Sequence, residues 1–196
     1  MAIEFKQTQY AGNVPVFWRG EAKVLPGGFK PLNSFPKGIV VKRGTLLHVD
    51  FDTMSAAVCK TASVLAGGTT TKVRVSKDAL FVAGDAVALA SDATKKTTVS
   101  TVDESNADYN VLNLAAGISG IAEGNVIVEC DSEGAPKYAP NCVAAADKEF
   151  DGKGIPAFDA AYDAVVLKDA LSQPVLADWL NGICLKSNPN ILFIKQ

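Results

Sequence analysis

The chain has 196 residues, and 48% of them are hydrophobic, which is enough to bury a core in one large domain or two small ones. Its 19 basic and 21 acidic residues are spread along the chain and give a formal net charge of -2, so no long-range field attracts phosphate backbones or anionic lipid. We therefore expect no nucleic-acid partner and no membrane partner.

The N-terminus and the cysteines are typical of a protein kept in a reducing compartment. The stretch MAIEFKQTQYAGNVP contains acidic Glu4 and no apolar signal core, and no apolar run approaches the roughly 20 residues of a membrane span. We expect cytoplasmic synthesis without a signal peptide. No two cysteines have C-x-x-C spacing, and we expect all four to be reduced and mostly buried: Cys59, Cys130, Cys142 and Cys184. Cys130 and Cys142 could form a disulfide in an oxidising compartment.

Residues 1–36 are dense in proline and glycine, which interrupt regular structure. The segment also carries large apolar side chains, namely Phe5, Tyr10, Val14, Val16, Phe17, Trp18 and Phe29. We predict an extended N-terminal arm, whose apolar residues are buried either on a neighbouring subunit or on the arm's own domain.

Residues 37–135 have the pattern of a β domain. Seven segments have the length and β-branched composition of strands and are separated by turn residues: GIVVK, TLLHVDF, TKVRVS, DAVALAS, TTVSTV, YNVLNL and NVIVEC. So many short strands predict an antiparallel barrel or sandwich. The interval 54–68, MSAAVCKTASVLAGG, suits a helix or a strand, and its position among strands favours a strand.

A weak internal repeat predicts the corners of this domain. An apolar residue, two spacers, glycine, a small polar residue, a spacer and an apolar residue recur at 41–47, 81–87 and 121–127. Glycine permits a turn that a Cβ would penalise, and the next polar side chain can bond freed backbone N–H groups. We therefore interpret Asp85, in the second repeat, as a turn residue and not as a catalytic carboxylate.

The last third, residues 136–196, mixes alanine with turn residues and predicts a smaller β or α+β lobe. The segment FDAAYDAVVLKDAL has near-helical apolar spacing, although DAVVLK also suits a strand. SQPVLADWLNGICL, residues 172–185, predicts a short helix with Ser172 as its cap and Pro174 near its first turn. ILFIK predicts a final strand that returns to the sheet.

His48 is the single histidine of the chain, which limits the chemistry that the residues can support. Period-two alternation places His48, Asp50 and Asp52 on one strand face, either as a small metal site or as the solvated face of a strand, and it places Leu47, Val49 and Phe51 on the other face, where we expect them in the core. Because no second histidine or C-x-x-C pair completes a metal shell, the solvated face is favoured.

Other catalytic and binding motifs are missing. The sequence has no G-x-S-x-G elbow, no phosphate-binding loop and no EF-hand spacing in its acidic loops at 102–110 and 146–154. Four aromatic residues suit either a carbohydrate groove or core packing, and packing is favoured: Trp18, Trp179, Tyr138 and Tyr162. We therefore predict no catalytic, cofactor-binding or metal-ligating residue.

Several segments resemble the β-domains of tailed-phage and prophage virion accessory proteins, the head-fibre and capsid-decoration class. The resemblance rests on GTLLHVDFDTMSAAVCKTASVLAG, KDALFVAGDAVALAS, KKTTVSTVDESNADYNVLNL, EGNVIVEC, DAVVLKDAL, ADWL and NPNILFIKQ. Such proteins commonly join strands through x-F-x-x-G-D-x-V and T-[IV]-x-x-[IV] segments. The resemblance covers residues 38–196 and implies a symmetric assembly, often a trimer, anchored on a capsid by one end, with no catalytic residue.

We therefore expect a mainly β protein: an antiparallel barrel or sandwich at 37–135, an extended arm at 1–36 and a smaller β or α+β lobe at 136–196. The expected function is that of a non-enzymatic virion structural protein, made in the bacterial cytoplasm, that binds its own copies and a capsid protein without a cofactor. Two alternatives stay open: a β-barrel module that binds a carbohydrate or a peptide, and a hydrolase centred on His48.

Overall fold

The structure is a computed structural model that describes residues 15–152 and 156–195. These residues form strands and two short 3-10 turns, at Lys168–Ala170 and Ala177–Trp179. In chain order the strands are β1 (Phe17–Pro31), β2 (Val40–Val41), β3 (Leu46–Asp50), β4 (Ser55–Val58), β5 (Thr61–Ser63), β6 (Lys72–Ser76), β7 (Ala86–Leu89), β8 (Asp92–Asp103), β9 (Tyr109–Leu114), β10 (Val126–Glu129), β11 (Cys142–Ala144), β12 (Lys148–Glu149), β13 (Phe158–Leu167), β14 (Leu180–Asn181), β15 (Cys184–Leu185) and β16 (Ile191–Ile194). The mainly β fold class predicted from the sequence is confirmed.

The larger sheet has eight strands in the order β1-β4-β3-β11-β13-β16-β15-β14, and β1 also pairs with β13. The pairings from β1 through β4, β3, β11 and β13 therefore return to β1, and we call these five curled strands the first barrel. Most of its pairings are antiparallel, but β1 pairs with β4 in parallel, and β13 pairs in parallel with β16 beyond the barrel. This sheet takes strands from all three segments into which the sequence was divided.

The second sheet is built from one continuous segment of the chain, and its strands lie in the order β5-β10-β7-β8-β9-β6. Its two edges meet at the isolated bridge between Val64 and Val75, beside a 2.8 Å hydrogen bond from the Leu65 N–H to the Arg74 carbonyl. We call these six strands the second barrel. The long strand β8 links its two halves, because its first part pairs with β7 and its last part pairs with β9.

The two barrels have different interiors. The second barrel encloses one apolar cluster, which includes Val73, Phe81, Val87 and Leu112. The first barrel is buried on both faces of its strands, since neighbouring residues such as Leu46 and Leu47 belong to different clusters. Strands covered on both faces carry continuous apolar runs, which explains why AAVC and AAYDAVVL lack a strict polar alternation.

The C-terminal chain covers one face of the first barrel. Side chains from beyond β13, including Val175, Trp179, Leu185 and Phe193, join Phe17 and Val166 in one apolar cluster. The predicted return of ILFIK to the sheet is confirmed, since β16 pairs with β13. This packing closes the core over a surface that the barrel strands alone leave apolar.

The predicted strands are confirmed: each of the seven segments contains a strand or part of one, and the interval 54–68 contains β4 and β5. The helix predicted over 172–185 is wrong. Only Ala177–Trp179 makes a 3-10 turn, and the two residues Gly182 and Ile183 then connect the β14–β15 hairpin. Gly182 has a φ of 62°, which a two-residue hairpin favours and which ends the helical pattern.

Residues 17–31 of the predicted arm form β1, which pairs with β13 along its length and buries Phe17 and Phe29 in the same chain. Val16 is half-buried and Trp18 is 39% exposed, while Phe5, Tyr10 and Val14 lie outside the described residues. Phe17 and Phe29 are therefore buried on the arm's own domain, and Trp18 is not.

The three predicted corners share one geometry. Gly44, Gly84 and Gly124 have φ values of 84°, 95° and 81°, and the N–H of the residue after each glycine donates to the carbonyl three residues earlier. Asp85 Oδ2 and Asn125 Oδ1 each also accept the N–H of that earlier residue at 2.8 Å. The turn role of Asp85 is thus confirmed, and the same corner positions its carboxylate.

Candidate functional site

A cavity of about 540 Å³ lies where the two barrels meet, and we call it the junction cavity. Segment 32–36, which follows β1, supplies one wall, and the corner at 82–85 of the second barrel supplies another. The complete lining is Leu32, Asn33, Ser34, Phe35, Pro36, Lys60, Val82, Ala83, Asp85, Glu129, Lys137 and Tyr138. The volume lies within the range of about 300–1,000 Å³ of small-molecule sites.

Four charged side chains are brought to this cavity by the strand connections. Lys60 lies in the link between β4 of the first barrel and β5 of the second. The Glu129 N–H donates to the Lys60 carbonyl at 3.0 Å, which places Glu129, the last residue of β10, beside Lys60. The Lys137 N–H donates to the Glu129 carbonyl at 3.0 Å, and the glycine corner before β7 adds Asp85.

The four side chains form an alternating network of opposite charges, which we call the ion cluster. Lys60 Nζ donates to Asp85 Oδ2 at 2.7 Å and lies 3.8 Å from Glu129 Oε2, while Lys137 Nζ donates to Glu129 Oε1 at 2.7 Å. The side chains of Lys60 and Glu129 are 2% and 4% exposed, but that of Lys137 is 44% exposed. The cluster is thus buried at its centre and reaches solvent at one end.

The charges of the ion cluster balance, which is a condition for burying them. A buried ion without a partner would lose roughly several kcal/mol of hydration free energy, and no other interaction would compensate for that loss. The hydrogen bond from Lys137 to Glu129 raises the pKa of that lysine and keeps it charged. One acceptor is unused, because Glu129 Oε2 is buried and has no hydrogen-bond partner among the described residues.

Aromatic rings line the edge of the ion cluster. Lys60 Nζ lies 5.1 Å from the centre of the Phe35 ring, a cation–π distance, and Lys137 Nζ lies 5.5 Å from the centre of the Tyr138 ring. Tyr138 also stacks on His48, with ring centres 5.7 Å apart and planes 25° apart. The Phe35 ring covers the buried Lys60 ammonium, whereas Lys137, beside Tyr138, stays in contact with water.

His48 itself is held away from the ion cluster. Its Nδ1 lies 2.8 Å from the Ala139 carbonyl oxygen, and because a carbonyl only accepts, Nδ1 carries the hydrogen. His48 is not among the cavity-lining residues, although it contacts Tyr138, which is. The structure therefore brings Asp85 to the cavity but not His48.

The predicted alternation of β3 is confirmed as far as Asp50: Leu47 and Val49 are buried, and His48 and Asp50 are half-buried. Asp50 Oδ1 then accepts the N–H groups of Thr53 and Asp52, and these hydrogen bonds, that of Thr53 most, lower the pKa of Asp50. The strand ends there, so Asp52 belongs to a turn and not to the same strand face. Within residues 15–152 and 156–195, no three His, Cys, Asp or Glu side chains form a group that could hold a metal ion.

The four aromatic residues considered for a carbohydrate groove lie in different places. Tyr138 lines the junction cavity, whereas Trp179 is a core residue and Trp18 is 39% exposed elsewhere. Tyr162 packs against the apolar cluster inside the first barrel. They do not form one groove, and only Tyr138 belongs to the candidate site.

The cysteines are free thiols; Cys59, Cys130 and Cys142 are buried, and Cys184 is half-buried. Burial raises the pKa of Cys142 to about 11 and also raises the pKa values of Cys59 and Cys130. All three buried thiols are therefore protonated at neutral pH and are poor nucleophiles.

Sequence reasoning missed Lys60 and Glu129, the two most deeply buried charges of the site. A signal was present, because each stands in an apolar strand-like run and directly adjoins a cysteine, in AAVCKTASV and NVIVEC. A charge in such a run needs a partner of opposite sign. The identity of the partner depends on the pairing of β5 with β10, which lie more than sixty residues apart in the chain.

Among the described residues, no helix has the length and apolar character needed to cross a lipid bilayer. Comparison of the chain with protein-family models, with curated proteins and with solved structures found no match.

Proposed function

We propose that this chain is a non-enzymatic structural protein of a phage-type virion, a head-fibre or capsid-decoration protein that self-assembles and attaches to a capsid. The proposal starts from the resemblance of residues 38–196 to that class. It is supported by an architecture in which two β-barrels share one chain and meet at a buried ion cluster.

The observation that carries the proposal is an exposed apolar turn at one end of the first barrel. Phe51 and Met54, in the connection between β3 and β4, are 51% and 46% exposed, and we call them the apolar tip. Met54 has a φ of 51°, which is unfavourable for a residue with a side chain and costs on the order of 1–3 kcal/mol. Leu32, at the end of the neighbouring β1, is 53% exposed.

An exposed tip of this composition is suited to contact with another protein surface. Phe51 was expected in the core, and that expectation is wrong, because β3 ends at Asp50 and the following turn carries the ring outward. The ring retains one edge contact, with Phe29 at 5.9 Å. Large apolar groups that remain exposed near one another mark interaction sites. We assign the tip to contact with another copy of this chain.

The test is the oligomeric state of the full chain, measured by size-exclusion chromatography with light scattering. We expect a homo-oligomer, and we expect the double variant Phe51→Ser/Met54→Ser to dissociate it while keeping a cooperative thermal transition. Ile183→Ser is the matched control, because Ile183 is 52% exposed at a different hairpin and should leave the assembly intact. A strictly monomeric wild-type chain would contradict self-assembly.

The neighbourhood of the gene tests the virion part of the proposal independently. Genes for a portal, a terminase or a major capsid protein beside this one would support it. A position within a metabolic operon would overturn it.

A further inference from the structure

The junction cavity contains hydrogen-bonding capacity that the fold does not use. Glu129 Oε2 is buried without a hydrogen-bond partner among the described residues, and the Glu129 side chain lies in the cavity wall with only 4% of its area exposed. Buried carboxylate oxygens almost always accept at least one hydrogen bond. We propose that the junction cavity binds a small neutral saccharide, with Glu129 as the acceptor of a sugar hydroxyl.

The charge of the wall excludes an ionic ligand as the preferred occupant. Lys60 and Lys137 are each paired with a carboxylate of the ion cluster, so two positive and two negative charges cancel. An anion or a cation that enters would lose its hydration and gain no unpaired counter-charge. A neutral molecule avoids this cost.

Hydroxyl groups match the donors and acceptors of the ion cluster. A hydroxyl both donates one hydrogen bond and accepts others, so adjacent sugar hydroxyls can bond to a carboxylate and an ammonium together. Lys137 is the member that can yield, because its side chain is 44% exposed and its ammonium holds Glu129 Oε1 through a flexible stem. Its flexible stem lets Lys137 shift without leaving Glu129 Oε1, so a sugar hydroxyl can reach Oε2 and the charges of the ion cluster stay balanced.

The remaining wall is suited to the carbon face of a sugar ring. Leu32, Phe35 and Val82 line the cavity beside the charged groups. Small-molecule sites typically combine an apolar wall with a few placed polar groups. The cavity volume of about 540 Å³ leaves room for one or two sugar residues.

The experiment is a titration of the full-length protein, followed by amide chemical shifts in NMR spectra, with five separate probes: glucose, galactose, mannose, rhamnose and N-acetylglucosamine. Inorganic phosphate and butylammonium are the charged comparisons. Glu129→Gln removes the carboxylate at nearly constant volume, and Ser34→Trp fills the cavity from an exposed wall position without changing the ion cluster. Ser105→Trp, an exposed serine in the β8–β9 loop, is the matched control.

We expect at least one sugar to bind with a dissociation constant at or below about 1 mM and to shift amides of residues 32–36 and 129–138. Affinity should fall at least about tenfold in Glu129→Gln and in Ser34→Trp, and it should be unchanged in Ser105→Trp. If Glu129→Gln does not fold, Ser34→Trp alone decides. Absence of binding by all five sugars, binding unchanged by the variants, or tighter binding of either ion would overturn the proposal and leave the assembly proposal untouched.

Discussion

Both barrels bury apolar side chains between paired strands, but the paired strands lie close together in the chain in one barrel and far apart in the other. The second barrel is a continuous segment, from β5 to β10, in which several neighbouring strands pair as simple hairpins. The first barrel is built from strands at both ends of the chain, and its β1 and β13 lie more than a hundred residues apart in sequence. Local sequence can specify the pairing of strands that are neighbours in the chain. It cannot specify the pairing of distant strands such as β1 and β13.

The chain enters and leaves the second barrel at neighbouring points. Thr61 of β5 is paired with Val128 of β10, and the Glu129 N–H donates to the Lys60 carbonyl at 3.0 Å. The second barrel is therefore inserted between β4 and β11 of the first, with its ends side by side. An insertion with adjacent ends can fold as a unit without distorting its host.

The largest expected effect comes from separating the barrels. Residues 60–131 expressed alone should fold, because their strands close on one apolar core, and circular dichroism should show a cooperative thermal transition. Residues 1–59 alone should stay unfolded, because β1 then lacks its partner β13 and β3 lacks its partner β11. A non-cooperative transition in the 60–131 fragment would show that the second barrel depends on the first.

The next largest effect is expected at the ion cluster. Lys60→Met leaves Asp85 and Glu129 buried without their shared cation, which should lower the free energy of unfolding by about 3–5 kcal/mol in urea titrations. The triple variant Lys60→Met/Asp85→Asn/Glu129→Gln should recover part of that loss, because no uncompensated charge then remains buried.

Lys42→Met is the control for that experiment. Lys42 pairs with Asp78 at 2.8 Å, nearly the distance of the buried pair, but the two side chains are 49% and 37% exposed. Removal of this pair should change stability by less than about 1 kcal/mol. Equal effects at Lys42 and Lys60 would mean that burial of the ion cluster contributes nothing specific.

The repeated corners allow a direct comparison of the two barrels at constant turn geometry. Gly84→Ala and Gly124→Ala, in the second barrel, should each cost about 1–2 kcal/mol, because an added Cβ meets only the backbone penalty. Gly44→Ala, in the first barrel, should cost about 1–3 kcal/mol more in the same urea titration. Its Cβ would overlap Val16 Cγ1 and lie 2.8 Å from Leu171 Cδ2. Similar losses at the three positions would contradict this difference in packing.

The smallest expected effect is an alkaline loss of stability in the first barrel. Burial raises the pKa of Cys142 from an ordinary value near 9 to about 11, so the unfolded chain releases this proton first. The stability that the thiol contributes is therefore complete below pH 9 and is lost as the pH rises toward 11. Cys142→Ala should reduce the fall in melting temperature between pH 8 and pH 11. Cys184→Ala, at a half-buried thiol, should leave that fall unchanged, and an unchanged fall in Cys142→Ala would contradict the assignment.

Particular residues show how far sequence reasoning reaches. The corners at Gly84 and Gly124 were predictable because glycine followed by Asp or Asn encodes the turn and its side-chain bond within four residues. The helix predicted over 172–185 failed, since Gly182 redirects the chain into a hairpin that pairs with the sheet. Phe51 failed for a related reason: the alternation that buries Leu47 and Val49 stops where β3 ends.

The sequence by itself determined the β class, the strand segments and the glycine corners, because each depends on interactions between residues close together in the chain. Only the tertiary structure decided that β1 closes a barrel with β13, and that Lys60, Asp85 and Glu129 meet in one cavity. The physical reason is that burial and ion pairing depend on distances between strands. Those distances depend on which strands form hydrogen bonds with each other, and a local sequence pattern does not specify the partner strand.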